Sequence, residues 1–333
     1  MVRLAATVPG FLALGLIAGC ADGSDGSSLP DVVDIGRWGD PDGRGSGADV
    51  AGPEDAAAVD GAGQEPEVEP EIAPIPYTPP DGMQVVAIDV GQGDSILVRF
   101  PAGSVMLVDG GTKGAGKASV VPYLKALHVE KVDYVVPSHP DADHCGGLLS
   151  VVESFEVGQV WENGQTADTY SWWDFSDAVD AKAVPRARVQ RGDVYTVDGC
   201  PVTVLNADQG WGDTNNNSVV LLIECEGARV LLTGDTGTES QEDMVAALGA
   251  SQLAADAVKV AHHGSWDMYE QFPAAVHPEA ALCSVGKWNE YGHPVAEIIA
   301  AWQAVGAVFY RTDQNGDIVM TAKDGSMKVV TQY

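Results

Sequence analysis

The chain has 333 residues, with 48 acidic and 18 basic side chains and a formal net charge of −30. That length allows one large domain or two ordinary ones, and a hydrophobic content of 45% excludes a wholly disordered chain and a multi-span membrane protein. The acidity argues against a nonspecific nucleic-acid binder, though not against a nuclease whose local positive charge comes from bound metal ions.

Residues 1–20, MVRLAATVPGFLALGLIAGC, join Arg3 to an apolar run and then to small residues. This is the build of a secretory signal peptide, too short for an ordinary membrane span. Its ending, Ile17-Ala18-Gly19-Cys20, resembles a bacterial lipobox, in which Cys20 is lipidated and becomes the mature N-terminus. A protein so built sits outside the cytoplasm, anchored to a bacterial membrane by its lipid. Residues 21–80 hold 14 acids and two arginines, a net of −12, among Gly, Ser, Pro and Ala. No helical or strand period runs through them, and they cannot bury enough apolar area to offset their ordering entropy, so they read as a disordered tether. Residues 81–333 carry 34 acids and 15 bases, a net of −19, so the remaining part is acidic in its own right.

One domain is expected over residues 83–333. QVVAIDV, SILVRF and SVMLVDGG are short β-rich runs, the first two separated by the turn Gly91-Gln92-Gly93-Asp94. Residues 117–127 look helical, VDYVVPS is a buried strand, and HCGGLLSVVES begins another helix. PVTVLNA, SVVLLIECE and ARVLLTG are strands, followed by the helix TESQEDMVAALGA. DAVKVA, ALCSVG and AVGAVFY are strands, VAEIIAAWQA is a helix, and DIVMTAK with MKVVTQY makes a closing hairpin. Strand runs followed by single helices, twice over, predict two sheets with helices on their outer faces. Cys200 opens one of these strands and Cys225 closes another; if the two pair antiparallel, the thiols face each other. That pattern admits either a disulfide or two separate buried thiols.

The most informative segment is Ser138-His139-Pro140-Asp141-Ala142-Asp143-His144-Cys145, directly after an apolar strand. Four possible metal ligands stand within six residues, on a loop that can aim them into one pocket. His139 and Asp141 alternate and can point the same way, while Asp143 and His144 can serve a second ion nearby. Oxygen and imidazole donors suit zinc or manganese, with no thiolate needed. A stripe of Trp172, Trp173 and Phe175 offers either a substrate wall or ordinary packing.

This segment resembles the HxHxDH motif of the metallo-β-lactamase fold, in a form where Asp141 replaces the second histidine. With Asp89-Val90-Gly91-Gln92-Gly93-Asp94-Ser95, Leu232-Thr233-Gly234-Asp235, Ala261-His262-His263-Gly264-Ser265 and Tyr291-Gly292-His293-Pro294, it is similar to the extracytoplasmic metallo-β-lactamase-like domain of the ComEC competence family. The resemblance covers residues 83–320 and implies an αββα sandwich and a two-ion hydrolase. It implies Asp235 as the carboxylate shared by both ions and His263 as a ligand, with His262 touching substrate. His293 is a candidate for the active site. Asp94 and Asp109 fit the task of orienting ligands better than that of binding metal. The third histidine usual for the first ion is missing from Thr214-Asn215-Asn216-Asn217-Ser218, where Asn215 or a water stands in its place. That substitution and Asp141 favour a harder ion such as manganese.

The reaction implied is hydrolysis of a phosphodiester, DNA foremost, with Asp143 orienting the attacking water and His262 or His293 stabilising developing charge. An envelope phosphodiester is the alternative substrate, and a lipid-tethered binding protein without turnover is the rival of another class. If Cys20 carries lipid, wild-type protein fractionates with membranes and Cys20→Ala protein is recovered in the soluble fraction. Equal membrane retention of the two forms, measured by immunoblotting of fractions, contradicts the lipobox.

Overall fold

The computed structural model describes residues 77–333; the signal, Cys20 and residues 21–76 of the acidic segment lie outside the described residues. Residues 77–80 are held against the domain, since Arg99 donates to the Tyr77 hydroxyl at 3.2 Å and to the Thr78 carbonyl at 2.6 Å.

The chain begins with β1 (Met83–Ala87), β2 (Ile96–Arg99), β3 (Val105–Val108), β4 (Lys131–Val136), β5 (Glu156–Glu162) and β6 (Arg186–Arg188). Next come β7 (Val194–Val197), β8 (Cys200–Asn206), β9 (Val220–Cys225), β10 (Ala228–Leu232), β11 (Ala257–Lys259), β12 (Ala280–Cys283) and β13 (Val308–Arg311). β14 (Ile318–Lys323) and β15 (Ser326–Thr331) close it. One sheet has the order β15-β14-β1-β2-β3-β4-β5-β6, the other β13-β12-β11-β10-β9-β8-β7. The closing hairpin forms as its two runs predict, and β14 also pairs with β1, Val86 opposite Val319, so the end of the chain completes the first sheet. β6 and β7 escape sequence reading because they are edge strands of only 3 and 4 residues, with most positions exposed or part-exposed.

The sheets face each other across one core and each carries helices on its outer side. In β1, Met83, Val85 and Ala87 point into the shared core while Val86 points outward; in β10, Ala228, Val230 and Leu232 point inward and Leu231 outward. Burial on both faces explains why these strands read as continuous apolar runs. Helices Val121–Ala126, Leu148–Ser154 and Tyr170–Ala181 cover the first sheet, and Thr238–Leu253, Phe272–Val276 and Ala296–Ala304 the second. The result is the αββα sandwich that the motifs implied. Trp172 and Phe175 belong to the apolar layer under the first set of helices, and Trp173 is exposed. Among the described residues, no helix is long and apolar enough to cross a membrane.

β8 and β9 pair antiparallel with Val202 opposite Ile223, and continuing that register sets Cys200 against Cys225. The two form a disulfide with their Cα atoms 4.9 Å apart, closing a loop with a sequence separation of 25. Chain-entropy reasoning for that loop gives about 3 kcal/mol of stabilisation. The double variant Cys200→Ser/Cys225→Ser is therefore expected to unfold at lower denaturant with ΔG reduced by about that amount. An unchanged urea midpoint under oxidising conditions contradicts this.

Candidate metal centre

Every chemically distinctive residue here leaves the C-terminal end of a strand or the loop beside it. Asp109 follows β3, the His139–His144 loop follows β4, Asp235 follows β10, and His262 and His263 follow β11. β3 and β4 run parallel, as do β10, β11 and β12, so their carboxyl ends open on one side of the sandwich. Such strand ends are where open α/β sheets collect ligands. Two glycine contacts let the loops close on one another. Gly93 has φ 121°, and a Cβ there would fall on the Asp143 carbonyl oxygen; a Cβ on Gly147 would fall on the carbonyl oxygen of Gly110. Asp109, His262 and His263 take left-handed φ values of 61°, 48° and 53°, a cost of about 1 kcal/mol each that the surrounding contacts sustain.

The loops converge on a cleft of about 180 Å³ lined by Asp141, Asp143, Asn215, Asp235, His262, His263 and His293, with Gln92 and Tyr291 at its rim. His139 and His144 lie beneath it, 1% and 0% exposed. Among the described residues, four overlapping sets of ligand atoms are close enough to share an ion: His139, His144 and Asp235; Asp143, His144 and His263; and two deeper sets, Asp94 with Asp235 and His263, and Asp94 with Asp109 and His144. Asp235 Oδ2 stands 3.2 Å from His144 Nε2 and 3.3 Å from His263 Nε2, and Asp143 Oδ2 is 3.4 Å from His263 Nε2. Asp141 Oδ2 lies 3.6 Å from His139 Nε2, while its other oxygen accepts from the Thr214 hydroxyl at 2.9 Å.

The hydrogen bonds behind these rings decide which nitrogen faces inward. His144 Nδ1 is 2.9 Å from Asp109 Oδ2, His263 Nδ1 is 2.9 Å from the Ser284 carbonyl, and His139 Nδ1 is 3.0 Å from Ser138 Oγ. Ser138 Oγ itself donates to Asp109 Oδ2 at 2.7 Å, so it accepts from His139. In all three rings Nδ1–H is the donor, so Nε2 is the nitrogen turned to the cleft and the one that can offer a lone pair to a cation once it is deprotonated. His139 Nε2, His144 Nε2, His263 Nε2 and Asn215 Oδ1 are buried and have no hydrogen-bond partner. Buried polar atoms are seldom left so, and four that converge beside carboxylates fit a divalent cation. Asn215 Oδ1 belongs to the loop in which the sequence holds no third histidine.

Electrostatics agree. Burial would raise the Asp235 carboxyl, but the charges of His144, His263 and Lys259 hold it well below the ordinary carboxylate range. Burial opposes charge on His144, yet Asp235 and Asp109 raise that ring well above the usual imidazole value. His263 behaves alike through Asp235 and Asp94. Burial lowers both His262 and His293, which remain neutral at pH 7. His262 Nε2 comes no closer than 3.9 Å to Asp235, and its ring lies 5.7 Å from that of His293, which in turn stacks on Tyr291.

Asp109 binds the Ser138 amide and hydroxyl as well as His144, so it orients the loop and the ring. Asp94 contacts Lys259 and approaches His263 Nδ1 at 3.4 Å. His128 and His277 belong to no cluster. Cys145 is buried with its thiol on the Pro140 carbonyl, and burial pushes it up to about 12, which makes it inert. Sequence reading missed Ser138, Thr214, Ser218, Ser284 and above all Lys259, 2% exposed at the heart of the site. Its one signal was a lone charge in the otherwise apolar VKVA.

A cation must displace the protons that His144 and His263 carry. Because both rings are raised, they are protonated at neutral pH when no ion is bound, so metal affinity should rise with pH and binding should release protons. Calorimetry in buffers of differing ionisation enthalpy measures this, and Asp235→Ala should abolish tight binding. Binding with no proton release, or unchanged metal content in Asp235→Ala, contradicts the assignment.

Residues 88–276 match the sequence profile of the Metallo-beta-lactamase superfamily, more than half of the chain. The chain is 30% identical over 279 residues to ComE operon protein 3 of Bacillus subtilis (strain 168), covering 75% of this chain and 34% of that one. It is 30% identical over 262 residues to Competence protein ComA of Neisseria gonorrhoeae, covering 76% of this chain and 34% of that one. It therefore spans about a third of the length of the curated relatives it matches. Among solved structures, Tm1679, a metal-dependent hydrolase of the beta-lactamase superfamily, superposes with a TM-score of 0.47 at 15% identity, covering 75% of this chain and 100% of that one. The chain belongs to the metallo-beta-lactamase superfamily and is similar over about three quarters of its length to ComE operon protein 3 and Competence protein ComA.

Proposed function

We propose that this chain is a metal-dependent phosphodiesterase acting on DNA outside the cytoplasm, held at a membrane by lipid on Cys20. The observation that carries the proposal is the meeting, in one cleft, of a carboxylate and imidazole cluster with two further neutral histidines, His262 and His293. His139, Asp141, Asn215 and Asp235 would hold one divalent ion and Asp143, His144, His263 and Asp235 a second, with manganese suited to the oxygen-rich first set. Ions so held supply Lewis-acid charge to a phosphoryl group and lower the pKa of water.

The protein's own groups do the rest. The Asp143 side chain is 33% exposed at the cleft, where Oδ2 can accept a hydrogen bond from the attacking water and aim it. His262 and His293 also line the cleft and carry no carboxylate contact closer than 3.9 Å, so either can donate to a phosphoryl or leaving oxygen without adding net charge. Tyr291, 69% exposed and stacked on His293, gives a planar surface beside them. The name of one relative, Competence protein ComA, supports the choice of DNA among phosphodiesters. The acidity of residues 81–333, a net of −19, favours a second reading, a small envelope phosphodiester that escapes the repulsion a polyanion meets.

Manganese-loaded protein incubated with single-stranded DNA, double-stranded DNA and a chromogenic phosphodiester decides between them. Cleavage of DNA is expected, with Asp143→Ala and His144→Ala inactive. His262→Ala should keep its metal and lose about 100-fold or more in kcat. Cleavage of the small ester alone supports the envelope substrate, and no turnover of any substrate with metal bound contradicts both.

A further inference from the structure

Lys259 ends β11, between β10 and β12, and only 2% of it is exposed. Its ammonium donates to the Gly234 carbonyl at 2.8 Å, to Asp235 Oδ1 at 3.2 Å and to Asp94 Oδ2, so its three N–H groups are all engaged. Lys259 itself has no ligand or catalytic role in the reading above, yet one of its partners, Asp235, is the carboxylate assigned to both ions. Asp235 is the carboxylate whose Oδ2 lies between His144 and His263, and Lys259 occupies its other oxygen. Asp94, the second carboxylate on Lys259, sits against His263 Nδ1.

We infer that Lys259 is a positioning residue of the metal centre, an internal cation that fixes Asp235 so that a single oxygen faces the ions and that holds Asp94 behind His263. The inference rests on the two-ion reading above. Charge supports it independently of distance. Asp94, Asp109, Asp141, Asp143 and Asp235 are five carboxylates around the cleft, and one ammonium with two divalent ions supplies five positive charges. Without Lys259 the same cluster with two ions keeps an unbalanced negative charge, and Asp235 is free to turn about its side-chain bonds. A rotated Asp235 presents either oxygen or both to one ion and ceases to join the two sites. Groups behind metal ligands commonly set affinity by about 10–100-fold, which is the range expected here.

Two variants keep the side-chain volume and remove the charge. Lys259→Met leaves Asp94 buried without its partner, while Asp94→Asn/Lys259→Met removes both charges together. Manganese binding by calorimetry, thermal melting, and kcat and KM on the chromogenic ester are measured beside wild type. The inference predicts that the double variant melts cooperatively, binds manganese about 10–100-fold more weakly, and loses kcat with KM little changed. Two-ion binding of wild-type affinity in the double variant overturns the inference, and so does failure of both variants to melt cooperatively, which would assign Lys259 to folding alone. If wild type itself binds no more than one ion, it is the two-ion reading that fails, a result seen before any variant is compared.

Discussion

Burying like charges side by side is the constraint on which the rest of this structure depends. Asp94, Asp109 and Asp235 are no more than 3% exposed and share one cluster with three histidines and a lysine. In a low-dielectric interior such a set persists only if cations face it and every remaining lone pair finds a donor. The hydroxyl of Ser138, the amides at the loop ends and the ammonium of Lys259 meet most of that need. The imidazole Nε2 atoms of His139, His144 and His263 are among the few buried atoms left without a partner, as are Asn215 Oδ1 and Asp94 Oδ1.

The sandwich is arranged to make this possible. Two parallel strand sets, one in each sheet, deliver their carboxyl ends to one side, and the turn at Gly93 lies directly on the backbone of Asp143. The loop of residues 214–218 is fixed from below: Asn206 donates to the carbonyls of Asn216 and Ser218 at 2.9 Å each, and Asn217 Oδ1 accepts from two loop amides. Thr214 can therefore hold Asp141, and Asn215 can present its oxygen, on backbone that does not need a ligand to be ordered.

Much of this was legible in the chain itself because the chemistry is local. His139, Asp141, Asp143 and His144 stand within six residues, so one strand end brings all four to the cleft. Asp235 and His263 were legible only through resemblance, since nothing near them in sequence says that β10 and β11 end beside β4. Lys259 left only a lone charge in an apolar run, with nothing to say what it meets. A lysine in a short strand ordinarily marks an edge, and its partners Asp94 and Asp235 are remote in sequence. The pairing of β14 with β1 was hidden for the same reason: alternation marks a strand but does not name its neighbour. The three asparagines of the 214–218 loop look alike in sequence, yet Asn215 faces the cleft while Asn216 and Asn217 tie the backbone together.

The central claim is that one carboxylate, Asp235, joins two ions in a single cluster. Electron paramagnetic resonance of the protein titrated with manganese addresses it most directly. Two equivalents should give the multiline spectrum of an exchange-coupled pair, collapsing to isolated-ion lines in Asp235→Asn protein. A spectrum of uncoupled manganese at every stoichiometry in wild type would contradict the account.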